Sequence, residues 1–221
     1  MVTKLVIVGD SFCHGVGTES PFNDGRNTHW SFGRYLADYL ELDYVNLAEP
    51  GISIARSIEL AVGYLTDNTD CHVIAGWTHP QRIGVYSDHS MLQILPSYAL
   101  LGNTADTDVF VKEQHGVRYV TNAANQQHLE MLPRLHRVMV ENNFFDGQQH
   151  TAKVMTQMFR AWCGANHVHL RDFNVFAGYA QLTAPMLDIT FADVMPTYQR
   201  HPTRDEQRRF AELYILKYGK K

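Results

Sequence analysis

Ser11 follows a predicted apolar strand, and this position is typical of a nucleophilic serine. The β-branched run that ends at Val8 stops at Gly9-Asp10-Ser11, which is typical of a buried strand leading into a sharp turn. Ligands bind at the carboxyl edge of open α/β sheets, so a hydroxyl at this place is suited to chemistry. A serine in such a turn also serves as a helix cap, and the segment alone does not separate the two roles.

Acyl transfer at Ser11 requires donors that stabilise a developing oxyanion. Two further predicted strands end in distinctive segments, Asn46 through Gly51 and Gly76-Trp77-Thr78. Parallel strands end at one edge of their sheet, so we expect these turns to converge with Ser11. A glycine leaves its backbone N–H approachable, and a threonine side chain adds another donor.

His201 is the best candidate for a general base. The His201-Pro202 pair precedes the last predicted helix and lies in a predicted loop, where catalytic histidines are often found. A metal centre that joins His201 to His14, His79 and His89 is the alternative. Their spacing matches no ligand signature and no pair of acidic residues accompanies them, so we expect neither a metal nor a cofactor.

The elements that must position these residues alternate between strand and helix over the first 80 positions. This order is typical of a parallel sheet with crossover helices. The predicted strands are 3–9, 44–47 and 71–77, and the predicted helices are 30–40 and 52–65.

The rest of the chain is less regular. Positions 84–104 show no sustained period, and two strands over 109–112 and 117–120 flank a glycine turn, which predicts a hairpin. The remaining predicted elements are helices over 123–142 and 150–163, a strand over 168–171 and a last helix over 204–218. We interpret positions 1–221 as one domain with an insertion at about 84–125.

Composition narrows the function classes. The 221 residues carry a net charge of −4 and no basic block, so nucleic acid is not an expected partner. No apolar run has the length of a membrane helix, and the first apolar stretch is interpreted as a strand and not as a signal peptide. Three scattered cysteines, Cys13, Cys71 and Cys163, favour folding in a reducing cytoplasm.

The motifs in their order along the chain resemble the SGNH/GDSL hydrolases. They are Gly9-Asp10-Ser11, the glycine after the second strand, the Gly-x-Thr of Gly76 to Thr78, and His201-Pro202. Finer matches resemble a branch common among bacteriophage-encoded members: Trp30, Leu36-Ala37, Asn46-Leu47-Ala48, Pro50-Gly51-x-Ser53, and Trp77-Thr78 with Arg82. The resemblance spans the whole chain.

This resemblance implies a three-layer α/β/α sandwich with a mainly parallel, flavodoxin-like sheet. It implies ester hydrolysis with Ser11 as nucleophile and His201 as base. The implied oxyanion donors are the backbone N–H groups of Ser11 and Gly51 and the side chain of Thr78. The expected substrate is a small acyl ester, such as an acetyl group on a carbohydrate.

Three residues are candidates for the substrate pocket: His14, Trp77 and Arg82. Cys13 lies two positions from Ser11, but the Gly-Asp-Ser frame places Ser11 at the turn, and we discount a thiol nucleophile. A flavodoxin-like nucleotide binder is disfavoured, because no glycine-rich phosphate loop is present. The oligomeric state stays open, as does an association with a virion.

Two departures from the family pattern favour an alternative function. Thr78 stands where the family usually has asparagine, and Tyr198 stands where it usually has the aspartate that orients the histidine. Asp193 is a candidate for that acid, and a Ser–His dyad is the other solution. The alternative is a catalytically weak or inactive module that keeps the fold for binding.

Overall fold

The computed structural model describes residues 2–19, 25–80, 82–87, 90–94, 109–114, 117–122, 142, 144–177, 183, 185–195 and 200–219. Its strands are β1 (Lys4–Val8), β2 (Asp43–Asn46), β3 (Cys71–Trp77), β4 (Ile83–Ser87), β5 (Ser90–Ile94), β6 (Val109–Gln114), β7 (Val117–Asn122) and β8 (His169–Asn174). Its α-helices are α1 (Ser11–His14), α2 (Phe32–Leu40), α3 (Ile54–Leu65), α4 (Phe144–Ala165) and α5 (Arg204–Tyr218).

Four parallel strands form the central sheet, in the order β2-β1-β3-β8. Because all four run in one direction, their carboxyl ends lie at a single edge. In register, Ile7 of β1 pairs with both Asn46 of β2 and Ile74 of β3, and Trp77 of β3 pairs with Asn174 of β8. The turns after β1, β2 and β3 therefore leave the sheet side by side, as the sequence predicts.

The strand β1 is buried on both faces, which explains its continuous apolar sequence. Leu5 and Ile7 point into a core shared with α2 and α5, whereas Val6 and Val8 point into a second core shared with α3 and α4. Two helices thus cover each face of the sheet. The predicted three-layer α/β/α sandwich is confirmed.

A second sheet follows β3, with the antiparallel order β4-β5-β7-β6. The predicted hairpin is confirmed as β6 and β7. The strands β4 and β5 fall in 83–94, where the sequence analysis assigned no element, because five residues are too few to display a clear period. Most of the helix predicted over 123–142 lies outside the described residues.

The other helix bounds differ little from the predictions. A 3₁₀ helix over Gly25–Trp30 precedes α2, and α4 begins at Phe144, earlier than the predicted position 150. The last helix spans Arg204–Tyr218, as predicted. Within the part of the chain that the structure describes, none of the helices has the length and apolarity needed to cross a membrane.

Candidate active site

Ser11 is the first residue of the short helix α1, directly after β1. The Asp10 carboxylate caps this helix, since its Oδ1 accepts the Phe12 backbone N–H at 3.0 Å. Gly15 ends the helix in the left-handed conformation, with φ of 93°. Ser11 is 6% exposed, and its hydroxyl makes no hydrogen bond to another described residue. The capping role therefore belongs to Asp10, which leaves the Ser11 hydroxyl unengaged.

Cys13 is a packing residue behind this turn. A side chain at Gly9 or Gly76 would meet the Cys13 Sγ at 2.5 Å or 2.3 Å, so the thiol fills the space that these two glycines leave. Burial, and then the negative charge of Asp10, raise the pKa of Cys13 well above its ordinary value. The thiol therefore stays protonated, which agrees with the choice of Ser11 over Cys13 as nucleophile.

A second turn at the sheet edge presents the backbone of Gly51. Proline at position 50 and glycine with φ of 80° at position 51 are typical of a type II turn. Neither the Ser11 N–H nor the Gly51 N–H donates to an acceptor in the described residues. Both are thus available to a ligand, as an oxyanion hole requires.

Asn46 joins these two turns. Its Nδ2 donates to the Cys13 carbonyl at 3.2 Å, and its Oδ1 accepts the Ala48 N–H at 2.9 Å. The end of β2 is thereby tied to helix α1. Asn46 was part of a family motif in the sequence, but this bridging role needs a contact 33 positions apart.

Thr78 does not direct its proton towards the expected oxyanion site. Its Oγ1 donates to Asp10 Oδ2 at 2.7 Å, and the residue is buried. A hydroxyl has a single proton to donate, so this bond occupies it. Thr78 joins the turn after β3 to the turn after β1.

Arg82 lies beside the same carboxylate, and His79 lies near Arg82. The Arg82 Nη1 donates to the Ile52 carbonyl at 3.1 Å and lies 3.6 Å from Asp10 Oδ2. Burial, and then the charge of Arg82, lower the pKa of His79 to about 4. His79 is therefore neutral at pH 7, and Arg82 is the cation of this site.

His201 comes to the Ser11 turn from the other end of the chain. Its ring centroid lies 5.6 Å from that of Phe12, which follows Ser11. Gly17 makes this approach possible, since a Cβ at that position would lie 3.0 Å from the His201 Cβ. Burial lowers the pKa of His201, the charge of Asp10 raises it, and the charge of Arg82 lowers it. The net direction is downward, so His201 is neutral at pH 7, as a general base must be.

The backbone of His201 is held by its neighbours. The Arg200 Nη1 donates to the His201 carbonyl at 3.0 Å, and the Arg200 guanidinium donates to both Glu206 oxygens at 2.6 and 2.7 Å. Glu206 also closes a capping box with Thr203, the N-cap of α5. The histidine thus sits in a fixed segment between an ion pair and a helix start.

A buried glutamine connects α5 to the turn that carries Ser11. The Gln207 Nε2 donates to the Phe12 carbonyl at 2.8 Å, and its Oε1 accepts the Phe32 N–H at 2.8 Å. The sequence analysis missed Gln207. The available signal was a polar residue on the buried face of a helix that otherwise presents Phe210, Ala211 and Tyr214.

In the described part of the chain, no side chain makes a hydrogen bond to the His201 imidazole. The proposed acid Asp193 is exposed, and its Oδ2 accepts the Thr190 N–H at 2.7 Å in a capping box of the 3₁₀ helix Phe191–Asp193. The Tyr198 position lies outside the described residues. The geometry therefore favours the dyad over Asp193.

Trp77 belongs to the core and not to the substrate pocket for which it was a candidate. It is 1% exposed, its Nε1 donates to Asp172 Oδ2 at 2.6 Å, and its ring meets Phe159 of α4 edge to face. Its indole therefore packs between β8 and α4. His14, the other aromatic candidate, is a buried residue in the last turn of α1.

A second ion pair, whose aspartate is fully buried, joins α4 to β8. Arg160 of α4 donates to Asp172 Oδ2 through Nε at 2.8 Å and Nη2 at 2.6 Å, and Nη2 also reaches the Thr183 carbonyl at 2.9 Å. The sequence analysis did not single out this pair. An aspartate inside the buried strand β8 was its only sequence signal.

No protein-family model and no curated protein matches this sequence. Two solved structures are similar to it in fold over nearly its whole length. One is named as a lipolytic protein of the G-D-S-L family from Desulfitobacterium hafniense DCB-2, with 12% identity, a TM-score of 0.47, and coverage of 95% of this chain and 96% of that one. The other is a carbohydrate esterase, with 15% identity, a TM-score of 0.39, and coverage of 99% of this chain and 69% of that one.

Proposed function

We propose that the protein is a serine esterase of the SGNH type that hydrolyses a small acyl ester. The observation that carries this proposal is the contact between His201 and Phe12, which brings a neutral imidazole to the turn of Ser11. The backbone N–H groups of Ser11 and Gly51, which lie at the same sheet edge and have no acceptor among the described residues, support it.

The proposed reaction has two halves. In the first, the Ser11 Oγ attacks the carbonyl carbon while His201 takes its proton, and the leaving alcohol then departs with that proton. In the second, His201 activates a water that releases the acid from the acyl-enzyme. A small acyl group such as acetyl, on a carbohydrate alcohol, is the proposed substrate. No cofactor is needed for either half.

The test is covalent labelling with a fluorophosphonate, together with hydrolysis of p-nitrophenyl acetate and of acetylated sugars. We expect labelling at Ser11, and a fall in kcat of about 10³-fold or more in Ser11→Ala. Ser57→Ala is the matched control, because it also removes a buried serine hydroxyl, one that donates to the Ser53 carbonyl within α3. The control should keep both labelling and activity.

The second candidate is a noncatalytic binding module with the same fold. It is favoured by the observation that, among the described residues, no carboxylate is hydrogen-bonded to His201. Such a module would bind acetylated sugars but would not react with the fluorophosphonate. Equal labelling of the wild type and Ser11→Ala, or none in either, would count against the esterase.

A further inference from the structure

The guanidinium of Arg82 lies between the two turns that carry the proposed oxyanion donors. It donates to the carbonyl of Ile52, which follows Gly51, at 3.1 Å. It also lies 3.6 Å from the carboxylate of Asp10, which precedes Ser11. The cation therefore contacts both of the turns that carry these N–H groups.

Most of the hydrogen-bonding capacity of Arg82 is unused. A guanidinium has five N–H donors, and in this side chain, which is only 6% exposed, the bond to Ile52 is the one hydrogen bond to a described residue. The Nε is fully buried and has no partner among the described residues. The separation of 3.6 Å from Asp10 is longer than a charge-assisted hydrogen bond, which measures about 2.7–2.9 Å. Buried donors without acceptors are rare and call for an explanation.

Arg160 shows how a partly buried arginine is paired elsewhere in the same protein. Two of its nitrogens bond Asp172 at 2.6 and 2.8 Å, and one also bonds the Thr183 carbonyl. Its partner Asp172 is fully buried, whereas the Arg160 side chain itself is 20% exposed. Arg82 differs because Asp10 accepts its short side-chain hydrogen bond from Thr78 instead, at 2.7 Å.

From these contacts, and resting on the proposed esterase reaction, we infer that Arg82 and not Thr78 is the side chain that completes the oxyanion hole. When the Ser11 Oγ–carbon bond forms, the C=O electron pair moves to the oxygen and the serine proton moves to His201. The guanidinium and the two backbone N–H groups then hold the resulting oxyanion. As the bond to the alcohol breaks, the pair returns to the carbonyl and His201 protonates the alcohol.

Thr78 and Asp10 are positioning residues in this arrangement. Asp10 keeps the positive charge of Arg82 at the site, while Thr78 takes the strongest hydrogen bond of that carboxylate. The free donors of Arg82 thus stay available for an oxygen of the substrate.

The test compares Arg82→Gln and Arg82→Lys on the neutral ester p-nitrophenyl acetate, with phenylboronic acid as a tetrahedral inhibitor. We expect Arg82→Gln to lower kcat by about 10²–10³-fold with KM nearly unchanged, and to weaken boronate binding in proportion. Arg82→Lys keeps a cation beside Asp10 but loses the planar set of N–H donors. Its kcat should lie between those of the wild type and Arg82→Gln. Arg160→Gln is the control: it should lower the midpoint of thermal unfolding and leave kcat near the wild-type value.

Folding is checked by thermal unfolding of each variant, and Arg82→Lys decides the matter if Arg82→Gln does not fold. Wild-type kcat in the folded Arg82 variants would overturn the inference. So would losses confined to esters whose acyl group carries a carboxylate, since Arg82 would then bind a substrate anion. In both cases, fluorophosphonate labelling of Ser11 would leave the esterase function standing, whereas a wild type that is never labelled would overturn both.

Discussion

The ring of Phe12 packs against the imidazole of His201, with centroids 5.6 Å apart and planes inclined at 53°. Phe12 also meets Phe176 and Phe191 edge to face at 5.1 and 5.3 Å. One side chain therefore anchors the nucleophile turn in the core and supports the proposed base. Packing supplies part of the orientation that a carboxylate provides in a Ser-His-Asp triad.

Phe12→Leu should separate this support from general stability. The substitution keeps an apolar side chain but removes the flat face beside His201, so we expect a lower kcat and a loss of about 1 kcal/mol in the free energy of unfolding. Phe210→Leu is the control, because Phe210 stacks on Phe191 in the same core at 4.3 Å and, within the described part of the chain, has no ring contact with Phe12 or His201. A kcat that falls equally in both variants would mean that Phe12 has no special role.

The pH profile of kcat/KM should rise with pH and then level off. Burial lowers the pKa of His201 and Arg82 adds to this effect, while Asp10 opposes it. In the proposed reaction the neutral imidazole is the base, so we expect activity to be lost as pH falls through a pKa lowered from the ordinary 6.5. Initial rates between pH 4 and 9, at constant ionic strength, measure the midpoint. A midpoint well above 6.5 would reveal an acid partner of His201.

Gly17→Ala should impair both activity and stability. Gly17 has φ of 90°, and a Cβ there would press on the His201 Cβ at 3.0 Å. The left-handed backbone alone costs an alanine about 1 kcal/mol. Gly63→Ala is a matched control, since this glycine lies inside α3 with open space around it. This substitution should raise the free energy of unfolding by about 0.5–1 kcal/mol. Denaturant unfolding and kcat are measured for both variants, and unchanged kinetics in Gly17→Ala would separate Gly17 from the site.

Cys13 should be inert in the folded protein. Its thiol is buried against Gly9 and Gly76, and its raised pKa keeps the reactive thiolate scarce. Iodoacetamide should therefore leave hydrolysis intact and modify Cys13 only after denaturation. Peptide mapping of alkylated protein checks the site. Rapid alkylation of Cys13 with parallel loss of activity would instead identify a thiol nucleophile.

The parallel sheet could be predicted because its strands are buried on both faces. A short continuous apolar run such as that of β1 is compatible with few structures other than a buried strand. Gly9, after β1, and Gly76, near the end of β3, mark the sheet edge in the sequence itself. The strands β4 and β5 escaped prediction because short strands show no period. Their identity depends on pairing with each other and, for β5, with β7.

The residue types of the candidate site could be proposed from the sequence, but the hydrogen bonds that connect its turns could not. Ser11 and His201 could be proposed from local sequence. The bond from Thr78 to Asp10 and the contact of Arg82 with Ile52 could not, because they join different turns. A threonine at a strand end is compatible with donation in several directions, and only the positions of its neighbours decide which acceptor it reaches.

The bonds of Gln207 also bear on when the protein becomes active during synthesis. Their partners are Phe12 and Phe32, which lie 195 and 175 positions before Gln207 in the chain. A ribosome-bound chain that exposes β1, β2 and β3 but not yet His201 and α5 would hold the proposed nucleophile without the proposed base, and the contacts between the two ends of the chain would form last. We expect nascent chains to hydrolyse no ester until nearly all of the domain has emerged from the ribosome.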